Sequence, residues 1–309
     1  MLNSLRKLEK KLIKPGITIG RPIANKPEHL NNYQVHLLFQ TLGSKGYAVD
    51  PYDLWHPAGC SIAAQARNEI VKTFLARDGN GNTRHDYLLF IDDDQCFPQD
   101  YNPMSALELL IDADKDIVGA MTVRKFPPYK LNISMFFQGG MRHIAKWPED
   151  EPFRVHQLGF GMVLIKRHVI EKMYHVTQPP TPLFQNPLQY NPMVQEVELR
   201  GEDYLFCINA MKLGYDIWVE PRIPLLHIGW YPFGVDNFKV YRDEVVKTER
   251  MLDLCQDTNL YAPLAEALRK SGLQSKGDPE KLSDVADALA KQDGIIVESS
   301  SRPTAGVPQ

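Results

Sequence analysis

Residues 87–94 read Tyr87-Leu88-Leu89-Phe90-Ile91-Asp92-Asp93-Asp94, five apolar residues running straight into three carboxylates. An unbroken apolar run of that length fits a strand buried on both faces, as in a parallel sheet covered by helices. Ligands of such sheets bind outside the carboxyl ends of the strands. Like charges held within about 4 to 6 Å of one another disfavour full ionisation unless positive charge lies between them. A hard divalent cation with oxygen ligands, and the phosphates it bridges, would supply that charge. A polar turn where the strand exits into solvent accounts for one or two acids more easily than for three.

On both sides of this stretch, from about 16 to 235, short apolar runs alternate with helical periodicity. Ile17 to Ile19 reads as a first strand, and 28–42 as a helix carrying Val35, Leu37, Leu38 and Leu42 and ended by Gly43. Ser61 to Leu75 reads as a helix that holds Arg67-Asn68, and Asp116 to Met121 as a strand. Residues 155–165 (VHQLGFGMVLI) read as one strand with an internal glycine pair, followed by a helix through Met173. Glu202 to Leu213 reads as a helix stopped by Gly214, and Asp216 to Val219 as a strand. The expected fold is α/β, a mostly parallel central sheet flanked by helices, spanning 15–235. Before it, residues 1–14 read as a basic amphipathic helix with Leu2, Leu5, Leu8 and Leu12 on one side. Such a helix suits an anionic membrane surface, or docks on the domain or a second subunit. After it come a helical extension at 236–270, polar and helical through 256, and a polar, partly disordered tail at 271–309.

The 309 residues are 43% hydrophobic and 24% charged, which is ample for a packed core and excludes global disorder. With 35 basic and 38 acidic residues, net charge −3, no whole-chain basic field exists to grip nucleic acid. Cys60, Cys96, Cys207 and Cys255 are too scattered for a metal clip or a disulfide framework. No apolar run reaches the roughly 18 to 20 residues that span a bilayer, and the basic N-terminus lacks the apolar stretch of a secretory signal. A cytoplasmic location, at most peripheral to a membrane, is expected.

Two further features bear on chemistry. Gly201-Glu202-Asp203 stands at a helix start, where acids gain about 0.3 to 1 kcal/mol each from the helix dipole; a carboxylate on so rigid a platform could also deprotonate a hydroxyl. His227, inside Pro224-Leu225-Leu226-His227-Ile228-Gly229, is either a hydrogen-bonded core residue or an imidazole ligand to a nearby metal. On the acceptor side, Gly161, with Gly159, would let backbone approach a substrate closely, or simply curve a strand. Trp230, in Trp230-Tyr231-Pro232-Phe233, suits a lid or a sugar platform, or edge packing. Arg124-Lys125-Phe126 could reach phosphate or stay in a solvated loop.

In order, Ala66-Arg67-Asn68, strand-Asp92-Asp93-Asp94, Val118-Gly119-Ala120, Leu158-Gly159-Phe160-Gly161-Met162, Gly201-Glu202-Asp203-Tyr204 and His227 resemble glycosyltransferases of the GT-A type, in particular the large family 2-like group. The resemblance covers most of 16–235. It implies a metal-dependent transfer of one sugar from a nucleotide-sugar donor, UDP- or GDP-linked, to an acceptor hydroxyl. Asp94, with Asp92 and His227, would hold Mn²⁺ or Mg²⁺; Asp92 and Asp93 would contact ribose, sugar or ion; Arg67 would lie near the donor. Pro22 and Ile23, after Arg21, would receive the base, and Asp203, with Glu202 beside it, would activate the acceptor in an inverting transfer. A retaining outcome stays open. The Gln-x-x-Arg-Trp motif of processive synthases does not occur, so a single transfer is expected. Alternatives are a nucleotidyltransferase, which would want a glycine-rich basic loop after the first strand, and a non-catalytic nucleotide-sugar-binding module. The acceptor is open among saccharide, protein, lipid-linked sugar and modified nucleic acid, and the N-terminal helix is the one hint of a homo-oligomer.

Overall fold

The computed structural model describes residues 14–23, 29–49, 54–55, 63–76, 85–125, 129–137, 140–176, 182–186, 188–191, 196–199, 201–229, 232–239, 242 and 252–253. The helix read at 1–14 and the tail at 271–309 lie outside the described residues, apart from Lys14, as does most of 236–270. Along the chain the elements run β1 (Ile17–Gly20), α1 (His29–Ser44), β2 (Leu54–Trp55), α2 (Ala63–Ala76), β3 (Tyr87–Ile91), β4 (Gln95–Cys96), α3 (Pro103–Asp112) and β5 (Ile117–Ala120). There follow β6 (Ile133–Phe137), β7 (Gly140–Lys146), β8 (Phe153–Val155), β9 (Gln157–Leu158), β10 (Met162–Lys166) and α4 (Arg167–Tyr174). The last are β11 (Leu188–Asn191), β12 (Glu196–Leu199), α5 (Glu202–Lys212), β13 (Ile217–Glu220), β14 (Leu226–Ile228), β15 (Pro232–Phe233) and β16 (Leu252–Asp253).

The central sheet has seven strands in the order β2-β1-β3-β10-β5-β13-β8. β1 pairs in parallel with β2 and β3, and β13 with β5, while β10 is inserted antiparallel between β3 and β5 and β8 closes the edge antiparallel to β13. The architecture is α/β with a mostly parallel central sheet. Strand side chains alternate between faces, and β3 shows it cleanly. Leu88 and Phe90 join Val163, Ile165 and Val219 in a core covered by Ile70 and Phe74 of α2, Val169 and Ile170 of α4, and Phe206 of α5. Leu89 and Ile91 join Val118, Ala120 and Leu164 against Val35, Leu38 and Leu42 of α1 and Leu107 and Leu110 of α3. Each large side chain so buried contributes about 1.5–3 kcal/mol, so the two cores together pin where β3 ends and its carboxylates begin.

Three local departures from the sequence pattern are instructive. The run 155–165 is not one strand. β8 belongs to the central sheet, β9 pairs with β6 in a separate four-stranded sheet, and β10 returns to the centre after a turn at 159–161. Phe160 within that turn is buried among Phe90, Phe184 and Phe206, and this packing breaks the strand. Helix α3 was not anticipated, although Pro103, Met104, Leu107 and Leu110 recur at helical spacing and its start carries two clear signals: Asn102 accepts from the Met104 amide at 3.0 Å, and Pro103 occupies the first turn. Leu252–Asp253, where a polar helix was expected, is a short strand parallel to β7. Among the described residues no helix is long and apolar enough to cross a membrane.

His156 is fully buried between these layers, and its Nδ1 accepts the Phe136 amide at 2.8 Å. Burial pushes its pKa down to about 4. A base with a depressed folded-state pKa contributes stability that is present above its unfolded value and is lost as pH falls through the folded value. Replacing it with a non-titrating acceptor, His156→Gln, is expected to remove a pH-dependent loss that approaches about 3 kcal/mol between pH 6.5 and 4. Denaturant unfolding of both proteins across that range checks it; parallel pH profiles would contradict it.

Candidate active site

Chain reversal after β3 is what gathers the site. The Asp92 amide donates to the Gly161 carbonyl at 3.0 Å and the Gln95 amide to the Asp92 carbonyl at 3.2 Å, so residues 92–95 form a tight turn. Its carbonyls are held from α1: Asn31 Nδ2 donates to the Asp92 carbonyl at 3.0 Å and to the Gln95 carbonyl at 2.5 Å. Arg21, fully buried at the end of β1, donates through Nη2 to Asn31 Oδ1 and through Nη1 to Asn32 Oδ1 at 3.1 Å. Gln34 brackets the next residue, giving Nε2–H to the Phe97 carbonyl at 3.0 Å and accepting its amide at 2.8 Å. Gly161 touches the turn so closely that an added Cβ would sit 2.5 Å from Thr122 Cγ2 and 3.0 Å from Gln95 Cδ.

Asp92 and Asp94 diverge. Asp92 Oδ1 accepts from Arg67 Nη2 at 2.7 Å, and Arg67 Nη1 donates to Glu202 Oε1. Arg67 is only 3% exposed, and its guanidinium lies over the Phe160 and Phe184 rings at 5.5 and 5.9 Å. Burial pushes Asp92 up to about 7, with Arg67 pulling it down and the Asp94 charge adding to the rise. Asp93 lies within electrostatic reach of Arg21, whose pKa burial lowers to about 10 and the Asp93 charge raises. Asp94 faces the other way: its Oδ2 accepts from Lys125 Nζ at 2.5 Å and lies 3.2 Å from His227 Nε2, and its Oδ1 accepts from Gln95 Nε2 at 3.1 Å. Burial acts to raise the Asp94 pKa, but His227 and Lys125 outweigh it and hold it well below the usual carboxylate range.

Asp94 and His227, far apart in sequence, meet because β14 pairs antiparallel with β4. His227 lies opposite Gln95, and the Ile228 amide donates to the Asp94 carbonyl at 2.7 Å. His227 Nδ1 lies 2.7 Å from the Val123 carbonyl. A carbonyl can only accept, so Nδ1 carries a proton; Nε2 is left to donate to Asp94 Oδ2 when it too is protonated, or to coordinate a cation through its lone pair when it is not. At 3.2 Å the two atoms are close enough to share either a proton or a metal cation. This oxygen-and-nitrogen pair, with its imidazole oriented by the Val123 carbonyl, has the donor chemistry that would suit a divalent ion completed by non-protein oxygens. Among the described residues no cluster of three or more His, Cys, Asp and Glu stands ready as a metal cage, and Asp92 is turned to Arg67 instead of to His227.

Asp203, in the first turn of α5, accepts the Tyr204 amide at 2.8 Å and the Phe160 amide as well. Burial pushes its pKa up to about 6, against the pull of Arg67 and with the Glu202 charge adding to the rise. Gly201 makes room: a Cβ there would lie 2.6 Å from Asp203 Oδ1. Pro22 is buried and Ile23 half-buried beside the Arg21 network, and Trp230 lies outside the described residues. Asn31, Gln34, Gln95 and the placement of Lys125 on Asp94 were not anticipated; the buried polar face of α1 is masked in the sequence by its apolar residues.

A scan against protein-family models gives no match, and no curated protein matches. Solved structures similar to this chain include A197 from STIV, with TM-score 0.42, 16% identity, and coverage of 69% of this chain and 86% of that one. They also include GalNAc-T7 with UDP, GalNAc and Mn²⁺, with TM-score 0.42 and 12% identity over 89% of this chain. This chain spans about half the length of that one, 54%. The nucleoside-diphosphate-sugar pyrophosphorylase from Vibrio cholerae RC9 has TM-score 0.32 and 12% identity over 74% of this chain and 80% of its own. At such similarity the α/β assignment rests on the strand order above.

Removing Arg67 leaves Asp92 and Glu202 without their counter-charge, and breaking a buried pair in this way costs about 3–5 kcal/mol. Arg67→Met is therefore expected to destabilise the protein by that order at pH 8. The loss should be largest at alkaline pH and shrink as pH falls toward about 7, because Asp92, without Arg67 to pull its pKa down, takes up its proton at a higher pH than in the wild type. Urea unfolding at both ends of the range tests this; a loss independent of pH would show that the charges are not what Arg67 holds.

Proposed function

We propose that this chain is a metal-assisted glycosyltransferase that moves one sugar from a nucleotide-sugar donor to an acceptor hydroxyl, with inversion and with Asp203 as base. The observation that carries the reading is the meeting of Asp94 Oδ2 and His227 Nε2, 3.2 Å apart, at the carboxyl edge of the central sheet, where ligands of such sheets bind. The order of the Arg67, Asp92–Asp94, Gly201–Asp203 and His227 motifs, which resembles that of GT-A enzymes, supports it.

Asp94 and His227 would hold Mn²⁺ or Mg²⁺, which supplies positive charge for the departing nucleoside diphosphate. Asp93, Pro22 and Ile23 are assigned to the donor's ribose and base. Arg67 has both terminal nitrogens committed to Asp92 and Glu202, so its part is to fix those carboxylates. Asp203 accepts the acceptor's hydroxyl proton as that oxygen bonds to the anomeric carbon and the sugar–phosphate bond breaks. A pKa of about 6 suits this role, since the group is ionised at neutral pH and still basic enough to take a proton. Glu202, tied to Arg67, raises the basicity of Asp203 by its charge. Gly161 and Trp230 are assigned to the acceptor side, and the acceptor class remains to be found by screening saccharides, proteins, lipid-linked sugars and modified nucleic acid. The nucleotidyltransferase alternative wants a glycine-rich basic loop after β1, whereas Gly20-Arg21-Pro22-Ile23-Ala24-Asn25-Lys26 is not glycine-rich, and among its described residues the Arg21 guanidinium is turned inward onto Asn31 and Asn32.

Two outcomes follow for kinetics with a productive donor and acceptor. Asp203→Asn should lower kcat by about a hundredfold to ten-thousandfold while leaving the donor dissociation constant near wild type. In the wild type, kcat/KM should fall as pH drops through about 6, because the base must be deprotonated. Full activity in Asp203→Asn would remove Asp203 from the base role, as would an acid limb in wild type far from that value. Pyrophosphate release from a nucleoside triphosphate and a sugar phosphate would favour the nucleotidyltransferase instead.

A further inference from the structure

Asp94 does not wait for a metal with its charge exposed: the Lys125 ammonium already sits 2.5 Å from Oδ2, the oxygen that faces His227. We propose that Lys125 is the resident cation of the Asp94–His227 pair, and that a divalent ion takes this site by displacing the lysine ammonium; the proposal rests on the metal reading above. Two cations cannot share one carboxylate oxygen beside one imidazole nitrogen without strong mutual repulsion, so occupancy is exclusive.

The backbone around Lys125 makes the exchange a side-chain event. Val123 bridges Leu131, and the Arg124 amide donates to the Lys130 carbonyl at 2.9 Å, closing the base of the 124–130 segment. The β14–β15 hairpin clamps both ends of that base: His227 holds the Val123 carbonyl, and Phe233, its cross-strand partner, stacks on Tyr129 at 5.0 Å. Behind Lys125 itself, its Cβ lies 3.6 Å from where a side chain on Gly229 would begin. The lysine stem is thus anchored by the same hairpin that carries the candidate metal ligand, and only its four-carbon chain is left to swing.

Lys125 and Asp94 side chains are 28% and 31% exposed, so the head group has open space to move into. Once displaced it stays beside the ion, within reach of the anionic groups that the ion bridges, and a nucleoside diphosphate supplies them. Metal alone must break the Lys125–Asp94 pair; metal together with a diphosphate gives the lysine a new partner. Binding of the two is therefore coupled, and coupling free energies are reciprocal. Lys125 excludes the metal from the resting protein and joins the phosphate site when donor and metal arrive together.

The test is Mn²⁺ titration of the full chain, free Mn²⁺ being read by electron paramagnetic resonance, with wild type, Lys125→Met, Lys125→Arg and Asp94→Asn. Lys125→Met is expected to bind Mn²⁺ about tenfold more tightly than wild type, within the usual range of coupling between sites. Lys125→Arg, which keeps the charge, should stay near wild type, and Asp94→Asn should abolish binding. Equal or weaker binding by Lys125→Met, or tighter binding by Lys125→Arg to the same degree, would overturn the displacement and leave Asp94 and His227 as the metal pair. Absence of Asp94-dependent Mn²⁺ binding in both wild type and Lys125→Met would overturn the metal reading and the proposal together.

Discussion

Mutual repulsion among Asp92, Asp93 and Asp94 is the constraint around which the carboxyl edge of this sheet is organised. At 4 Å and an effective dielectric constant near 20, one such pair is repelled by about 4 kcal/mol, comparable with a sizeable part of the 5–15 kcal/mol or so that keeps a typical domain folded. The fold answers by turning Asp92 and Asp94 toward different partners and by bringing a cation within reach of each acid from a separate element. Arg67 reaches Asp92 from α2, Arg21 at the end of β1 lies within electrostatic reach of Asp93, and Lys125 meets Asp94 from the segment after β5. Each cation needs its own support, so Asn31 and Asn32 brace Arg21, Phe160 and Phe184 floor Arg67, and the β14–β15 hairpin secures the base of the Lys125 segment.

This division also separates two chemical environments a few residues apart. Around Arg67 the carboxylates are desolvated, and Asp92 and Asp203 titrate near 7 and 6. Around Asp94 the carboxylate is held firmly ionised by two basic partners. Pushing the pKa values of neighbouring acids apart is how a site assigns one to proton transfer and another to charge stabilisation. For Asp92 and Asp203 the folded-state values lie above the unfolded ones. The stability they contribute is present in acid and is lost as pH rises through about 6 to 7. On the proposed reading that loss at neutral pH is the counterpart of keeping a competent base.

Much of the fold was legible from residue patterns because the signal was local. Tyr87–Ile91 is a strand buried on both faces, as five apolar residues in succession imply, and the helices carrying Arg67 and Glu202 begin and end within two residues of where periodicity puts them. What was not legible depends on contacts between distant segments. The break of 155–165 follows from Phe160 packing against Phe206 and Phe184, partners that no local pattern reveals. Asn31 and Gln34 look like ordinary polar helix residues until β4 is laid beside them. In the site, the acids and His227 stood out by type, but their pairing did not: Asp92 joins Arg67 of α2 and through it Glu202, and Asp94 joins Lys125 and, because β14 runs back along β4, His227.

The measurement that tests the central claim most directly is thermal unfolding with UDP, GDP, CDP and dTDP, each with and without Mn²⁺, on wild type and Asp94→Ala. A ligand bound only by the native state adds about 2.7 kcal/mol at a hundred times its dissociation constant. A Mn²⁺-dependent rise in Tm with one nucleotide in the wild type, absent in Asp94→Ala, is the result the account predicts. No response to any nucleotide with Mn²⁺, or a response that persists unchanged without Asp94, would contradict it.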